Sequence, residues 1–315
     1  MKTIVMTGGT AGIGLAALQQ MQRSSDVRLL VGARGQASAG VESLPLDLTR
    51  LASVRSFAAA VEQWLGETSI DGLVLNAGMQ VGDVRQRTED GFETTFAVNH
   101  LAQYLLLRLL MPRLASGAIV VITTSNLHDP KTNPIAPPAH ADAGKLARGQ
   151  VELTKAQGSR SGIRAYAASK LCNLLTARAL ASSDFAQDRG LRVIAFNPGL
   201  TPGTQLTRNQ SLLFRLSYAV VMRILSAIQR MNTVAGGGGL LADLALGRIV
   251  PPAGRLYASQ VKRQLSWPDI SEVASDDAVM AKLWRDSAAL AGLPEAQLPT
   301  DDSHPRVAQP ATSSR

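Results

Sequence analysis

Over the first two hundred residues, short β-branched apolar runs alternate with longer stretches whose apolar positions recur at helical spacing. The runs are TIVMT from Thr3, VRLLVGA from Val27, DGLVLNAG from Asp71, AIVVITT from Ala118 and LRVIAFNPG from Leu191, with RLYA from Arg255 as a further candidate. Each is nearly continuous in apolar character, as strands of a parallel sheet are when helices cover both faces. Helices are predicted over 12–23, 51–65, 92–110 and 164–180. The alternation predicts an α/β protein built on a doubly wound parallel sheet.

The pattern breaks in three places. Between Asn126 and Gly162 the stretch HDPKTNPIAPPAHADAG is rich in proline and small polar residues, a long excursion of the kind that is functional or mobile inside a compact domain. After the last central run, Leu212, Leu213, Leu216, Val220 and Ile224 form an amphipathic stripe. Three readings of it stand side by side: a lid over an apolar substrate within 201–246, a helix lying on a membrane surface over 212–228, or core packing. It contains Arg215 and Arg223 and falls short of the roughly 20 apolar residues that span a bilayer. Finally, AGGGGLLADLALG from Ala235 reads as a flexible glycine turn opening a helix, and no strand precedes it to make a second nucleotide turn. With no internal linker or repeat, one domain is expected over 1–298, followed by a disordered tail over 299–315.

Composition narrows the class further. The 315 residues are 45% hydrophobic, enough to bury a large core. The net charge of +8 comes from 32 basic residues scattered along the chain, never in a long block, so no nucleic-acid partner is expected. Cys172 is the only cysteine, which rules out an internal disulfide and a cysteine-built metal site and leaves it as helix packing. The chain runs from Met1 straight into the first apolar run without a secretory pattern, so a cytoplasmic protein is expected.

The first candidate chemistry is TGGTAGIG from Thr7, between the first strand and the first helix. Glycines at Gly8, Gly12 and Gly14 permit a tight turn and close approach of the backbone to a pyrophosphate on the helix N-terminus, as in Rossmann-type dinucleotide folds. The second strand ends in VGAR, placing Arg34 where an acid would select a ribose 2′-hydroxyl. A guanidinium there favours a 2′-phosphate, hence NADPH/NADP+ over NADH, unless Arg34 is simply an exposed loop residue.

The second is AYAASKLCNLL from Ala165, with Tyr166 and Lys170 at i and i+4 on one helix face. A neighbouring positive charge lowers a phenol pKa from about 10 and lets the phenol exchange a proton nearer neutrality. Together with the glycine turn, DL at Asp47 and NAG at Asn76, this YxxxK pattern resembles the short-chain dehydrogenase/reductase family over most of the first 200 residues. The resemblance implies Tyr166 as general acid/base, Lys170 as its partner, Ser125 as the substrate-orienting hydroxyl and Asn99 as the link from the lysine to a water chain. Thr124 is the structural rival of Ser125, since adjacent strand residues face opposite ways, and His100 reads as structural. The implied cofactor site is Gly8, Thr10, Gly12, Ile13, Gly14, Arg34, Asp47, Leu48, Asn76, Ala77, Gly78, Pro198, Gly199, Thr201 and Thr204, with Tyr166 and Lys170 at the ribose, and no metal.

Within that family, VNHLAQYLL, AYAASKLCN, His128 in SNLH, NPGLTPGTQLTRNQ and the helix over 284–293 are similar to retinol-dehydrogenase-like enzymes and light-dependent protochlorophyllide reductases. Those reductases carry a cysteine directly after Pro-Gly, and here that position is Leu200. An isobutyl group gives no proton. The expected activity is therefore NADPH-dependent hydride transfer to or from a carbonyl or hydroxyl carbon of an apolar small molecule. Light-driven double-bond reduction and a catalytically idle NADPH-binding regulator are the alternatives. Homo-oligomer formation is implied by the resemblance alone.

Overall fold

The structure, a computed structural model, describes residues 1–35, 40–152, 160–202 and 231–294. Thr204, the 212–228 stripe and the 299–315 tail lie outside the described residues. The expected strands are present as β1 (Lys2–Thr7), β2 (Val27–Ala33), β4 (Ile70–Leu75), β5 (Leu114–Thr123), β6 (Arg192–Asn197) and β7 (Tyr257–Val261). Two further strands, β3 (Glu42–Pro45) and β8 (Gln264–Ser266), occupy the edges. The sheet order is β3-β2-β1-β4-β5-β6-β7-β8, parallel throughout except for β8. This is the doubly wound, Rossmann-type arrangement, with the order reversing between β1 and β4.

The edge strands were invisible in the hydrophobic pattern for a physical reason. Neither is buried on both faces, so neither carries an apolar run. β8 also hangs on a two-residue turn, Lys262-Arg263, whose φ values of 51° and 67° fit a turn usually signalled by Asn-Gly. Arg263 holds this geometry through its backbone N–H to Asn232 Oδ1 at 2.6 Å and its Nε to the Met231 carbonyl at 2.9 Å.

Helices cover both faces. On one lie α2 (Leu51–Leu65), the helix α3 over 94–110, α5 (Ser161–Ala181) and α8 (Asp277–Leu290), with the short α4 (Ala143–Ala147) and α6 (Asp184–Asp188) beside them. Val54, Phe57, Ala58, Val61 and Leu65 make the buried stripe of α2 at the predicted spacing. On the other face, α1 (Gly12–Met21) and α7 (Val234–Ala245) pack together against β1, β2, β5 and β6. None of the described helices is long and apolar enough to cross a membrane.

One expectation is corrected here. The run Gly236–Gly239 is not a turn before a helix; it lies inside α7, which is capped by Thr233. A Cβ on Gly238 would sit 2.5 Å from Ala16 Cβ and 2.8 Å from Ala17 N, so the glycine lets α7 press onto α1. A Cβ on Gly239 would meet only the flexible end of Gln20, at 3.2 Å. The two positions are therefore expected to respond with opposite sign. Gly238→Ala loses about 1–3 kcal/mol through overpacking, whereas Gly239→Ala gains up to about 1 kcal/mol of helix propensity. Thermal unfolding of the two variants measures both.

Candidate active site at the reversal point of the sheet

The glycine turn sits where the strand order reverses. Gly8 (φ 70°) and Gly12 (φ 54°) occupy left-handed backbone, and a Cβ on Gly8 would lie 2.6 Å from Ala77 Cα. A Cβ on Gly14 would run into the Gly8 carbonyl and lie 2.6 Å from Asn76 Nδ2. α1 begins at Gly12 with no side-chain cap and no acid in its first turn, which leaves its amides and positive dipole end for an anion. Thr10 is exposed, and Ile13 packs against Gly237 of α7.

The NAG turn after β4 is stitched to this loop. Thr7 Oγ1 accepts from the backbone N–H groups of Asn76 at 3.1 Å and Ala77 at 3.2 Å, and donates to Gln103 Oε1 at 3.2 Å. Asn76 Nδ2 donates to the Gly8 carbonyl at 3.0 Å, while its Oδ1 accepts from Thr123 Oγ1 at 3.1 Å. The Asn76 side chain thus ties the ends of β1, β4 and β5 together. Gln103, whose Nε2 donates to the Ala77 carbonyl at 3.1 Å, belongs to the same lattice. Its sequence signal was weak: one polar residue beside Asn99 and His100 in a largely apolar helix.

Just after β3, Asp47 Oδ1 accepts from Thr49 N and Oγ1, and the Asp47 N–H donates to Ser53 Oγ. Asp47 and Leu48 are half-buried, whereas Arg34, at the end of β2, is exposed.

Tyr166 and Lys170 lie on α5, with the lysine Nζ 5.6 Å from the tyrosine ring centroid. Lys170 is 2% exposed, and burial pushes its pKa down from 10.5 to about 8. Its Nζ donates to the Thr123 carbonyl at 3.0 Å. A Cβ on Gly78 would lie 3.3 Å from both Lys170 Nζ and Asn99 Oδ1, so the three expected residues converge on one point.

Asn99 sits in a π-helical turn, Ala97–Leu101, that interrupts α3 between its α-helical parts Thr94–Phe96 and Ala102–Leu110. Such turns mark functional positions in many helices. Its side chain is held three ways: Oδ1 accepts from Met79 N at 2.7 Å, and Nδ2 donates to Met79 O at 2.8 Å and Ser169 Oγ at 3.0 Å.

Of the two rivals after β5, Thr124 is buried and donates to the Lys170 carbonyl at 2.7 Å, a structural bond. Ser125 is half-buried and caps a short 3₁₀ turn, Asn126–His128. His128 stands in that turn with Nδ1 2.5 Å from the Ser125 carbonyl and its ring edge-on to Tyr257. After β6, Gly199 (φ 65°) is pinned by Asn197 Oδ1, and Thr201 Oγ1 lies on the Pro198 and Gly199 carbonyls. Leu200 is 49% exposed.

His100 is buried between Phe96 and Tyr104, and burial lowers its pKa to about 3. It is a neutral structural ring, as the sequence suggested. Cys172 is fully buried in the core, which pushes its thiol pKa far up. No cluster of metal-ligating side chains occurs among the described residues.

The chain is similar to known proteins over most of its length. The profile of the short chain dehydrogenase family matches residues 2–135. Protochlorophyllide reductase A of Oryza sativa subsp. japonica is 30% identical across 92% of this chain and 80% of its own length. Dehydrogenase/reductase SDR family member 13 of Bos taurus is 31% identical across 93% of this chain and 74% of its own. The fold is shared with an uncharacterized protein from Mycobacterium paratuberculosis at a TM-score of 0.65 and 24% identity, covering 95% of both chains. It is shared too with the 3-alpha-hydroxysteroid dehydrogenase of Pseudomonas sp. B-0831, solved with NADH, at a TM-score of 0.54 and 24% identity over 78% of this chain and 89% of that one. Since the likeness to the rice and bovine proteins runs well beyond the glycine turn and through the tyrosine helix, the chain belongs to the short-chain dehydrogenase/reductase family of oxidoreductases.

Proposed function

We propose that the protein is an NADPH-dependent oxidoreductase that moves a hydride between nicotinamide and a carbonyl or hydroxyl carbon of an apolar small molecule. The observation that carries this reading is the placement of Tyr166 beside the buried Lys170, facing Gly78 at the reversal point of the sheet. Tyr166 passes the proton to or from the substrate oxygen, Lys170 supplies the charge that favours the phenolate, Ser125 orients the oxygen, and Asn99 braces the turn beneath them. The dinucleotide lies along Gly8, Thr10, Gly12, Ile13, Gly14, Asp47, Leu48, Asn76, Ala77, Gly78, Pro198, Gly199 and Thr201. When bound, its nicotinamide supplies the hydride. The exposed Arg34 selects the 2′-phosphate. An apolar substrate is supported by Ile135 and Leu200, 62% and 49% exposed, which follow the carboxyl ends of the adjacent strands β5 and β6.

In this reading one domain over 1–298 works in the cytoplasm without a nucleic-acid partner. A membrane contact through 212–228 and self-association are compatible with it.

A second reading, light-driven reduction of a pigment double bond, draws on the 30% identity to a protochlorophyllide reductase. Leu200 stands against it, because it cannot donate a proton where those reductases carry a cysteine.

One screen separates the two. NADPH oxidation is followed with aldehydes, ketones, retinoids and tetrapyrroles, each in the dark and under illumination. Dark turnover of a carbonyl compound is the expected result; turnover of protochlorophyllide in light alone would establish the second reading. In the same assay Arg34→Asp is expected to lower the NADPH over NADH preference by about 10- to 100-fold, the effect of a lost charge-assisted hydrogen bond. An unchanged preference would remove Arg34 from the cofactor site.

A further inference from the structure

Behind Lys170 lies a buried polar chain for which the proposed chemistry has no use as such. The Thr123 carbonyl accepts two hydrogen bonds at once, from Lys170 Nζ at 3.0 Å and from Asn173 Nδ2 at 3.0 Å. Asn173 lies one helical turn beyond Lys170 on α5 and is 3% exposed. Its amide also hydrogen-bonds His100, and His100 Nε2 lies 2.9 Å from Ser287 Oγ on α8. His100 and Ser287 are 1% and 0% exposed.

The donor and acceptor roles along this chain follow from elementary constraints. A carbonyl only accepts, so Asn173 must turn its NH₂ toward Thr123 and its oxygen toward His100. His100, neutral in its apolar surroundings, must then donate its one N–H to Asn173 and accept a hydrogen bond from the Ser287 hydroxyl. Each group therefore fixes the next, from α8 through α3 to α5 and the end of β5.

This arrangement matters when the lysine moves. In the proposed function Lys170 serves the ribose of the dinucleotide and the tyrosine hydroxyl, and a lysine turning toward both would draw its ammonium off Thr123. A carbonyl with a single partner would then be stranded in the interior.

We propose that Asn173 is a positioning residue for Lys170: it holds the second lone pair of the Thr123 carbonyl so that the lysine can be released to the cofactor. His100 and Ser287 keep the Asn173 amide turned the right way for that task. The proposal rests on the reading of Lys170 as a cofactor-contacting residue, and its test keeps the two apart.

The test is fluorescence titration of NADPH, without any substrate, into wild type, Asn173→Leu, Asn173→Ala, Lys170→Met and the Asn173→Leu/Lys170→Met double variant. Melting temperatures are taken without and with saturating NADPH. Two Asn173 variants are used because leucine and alanine ask different things of the packing around α5. In the free protein Lys170 still satisfies Thr123, so the melting temperature should fall only through the loss of the Asn173 partner of His100. Binding pulls the lysine away, so Asn173→Leu or Asn173→Ala is expected to weaken NADPH by roughly 10- to 100-fold, the equivalent of one orphaned buried acceptor. The NADPH-induced rise in melting temperature should shrink accordingly. In the Lys170→Met background there is no lysine to release, and Asn173→Leu should then change NADPH affinity less than about two-fold, a non-additive cycle.

An Asn173→Leu effect that persists undiminished in Lys170→Met overturns the positioning role and leaves the proposed function intact. If Lys170→Met by itself leaves NADPH affinity unchanged, the lysine is not at the cofactor and both readings fall. His100→Phe, which keeps an aromatic ring between Phe96 and Tyr104, is expected to weaken NADPH in the same direction. Wild-type affinity in that variant would sever His100 from the chain.

Discussion

Tyr166→Phe is expected to lower kcat/KM by about 10²- to 10⁴-fold, the usual contribution of a positioned acid or base. The substitution removes one hydroxyl and leaves the ring. Tyr166 is 7% exposed within the packed interior of α5, so the ring keeps its place and the melting temperature should stay close to that of the wild type. NADPH affinity should change little, since Lys170 and the glycine turn are untouched. Steady-state rates on whichever substrate the screen identifies, paired with NADPH titration, separate lost proton transfer from lost binding. Activity that survives the substitution would move the acid role to another hydroxyl, with Ser125 the nearest candidate along the carboxyl edge of the sheet.

Lys170→Met should have two effects of opposite benefit. Turnover is expected to fall by at least about 10²-fold, because the phenol loses the charge that brings its ionisation toward neutrality. The free protein, however, should become more stable at neutral pH. Burial holds the lysine pKa at about 8 against an ordinary 10.5, which corresponds to about 3 kcal/mol of unfavourable burial of the ammonium. The bond to Thr123 recovers part of that cost, so a gain of about 1–3 kcal/mol is expected for methionine. Asn173 still satisfies the Thr123 carbonyl in this variant.

The sign of the pH dependence follows from proton counts. Between about pH 8 and 10.5 the folded protein has lost this proton and the unfolded chain has kept it. The unfolded state binds more protons there, so this lysine alone makes wild-type stability rise with pH across the window. Below pH 8 both states are protonated and the penalty is present in full. Denaturation of wild type and Lys170→Met from pH 7 to 10 should show the two stabilities converging. Parallel curves would mean that the ammonium is not the destabilising group.

What could be read from the chain alone depended on burial. The central strands and the helices bearing Phe57, Asn99 and Tyr166 bury broad apolar surfaces, and their periodicity states it openly. The edge strands do not, and the Lys262-Arg263 turn lacks the residues that usually announce one. The run Gly236–Gly239 was misread because glycine signals a turn by conformational freedom, whereas here its value is the missing Cβ against Ala16. Only the partner helix reveals which property is in use.

At the candidate site, the nearness of Tyr166 to Lys170 and the tight glycine turn were legible because sequence spacing alone sets them. The supporting shell was not. Gln103, Asn173, Thr123 and Ser287 are ordinary polar residues whose meaning comes from partners far away in sequence. Thr124, the rival of Ser125, is engaged by its bond to the Lys170 carbonyl, a partner 46 residues away that the chain alone does not announce.

The joining of α8 to α3 bears on the order in which this protein can be made. His100 and Ser287 are 187 residues apart, and Tyr104 donates to the Trp284 carbonyl at 2.8 Å across 180. A nascent chain emerging from a ribosome has its glycine turn, tyrosine and lysine in hand long before Ser287 and Trp284 leave the exit tunnel. Part of the wall behind its lysine is therefore synthesised well after the motifs it backs, and contacts of such long range close slowly. A chain halted before Asp277 would carry every motif of the family and lack the brace that holds them.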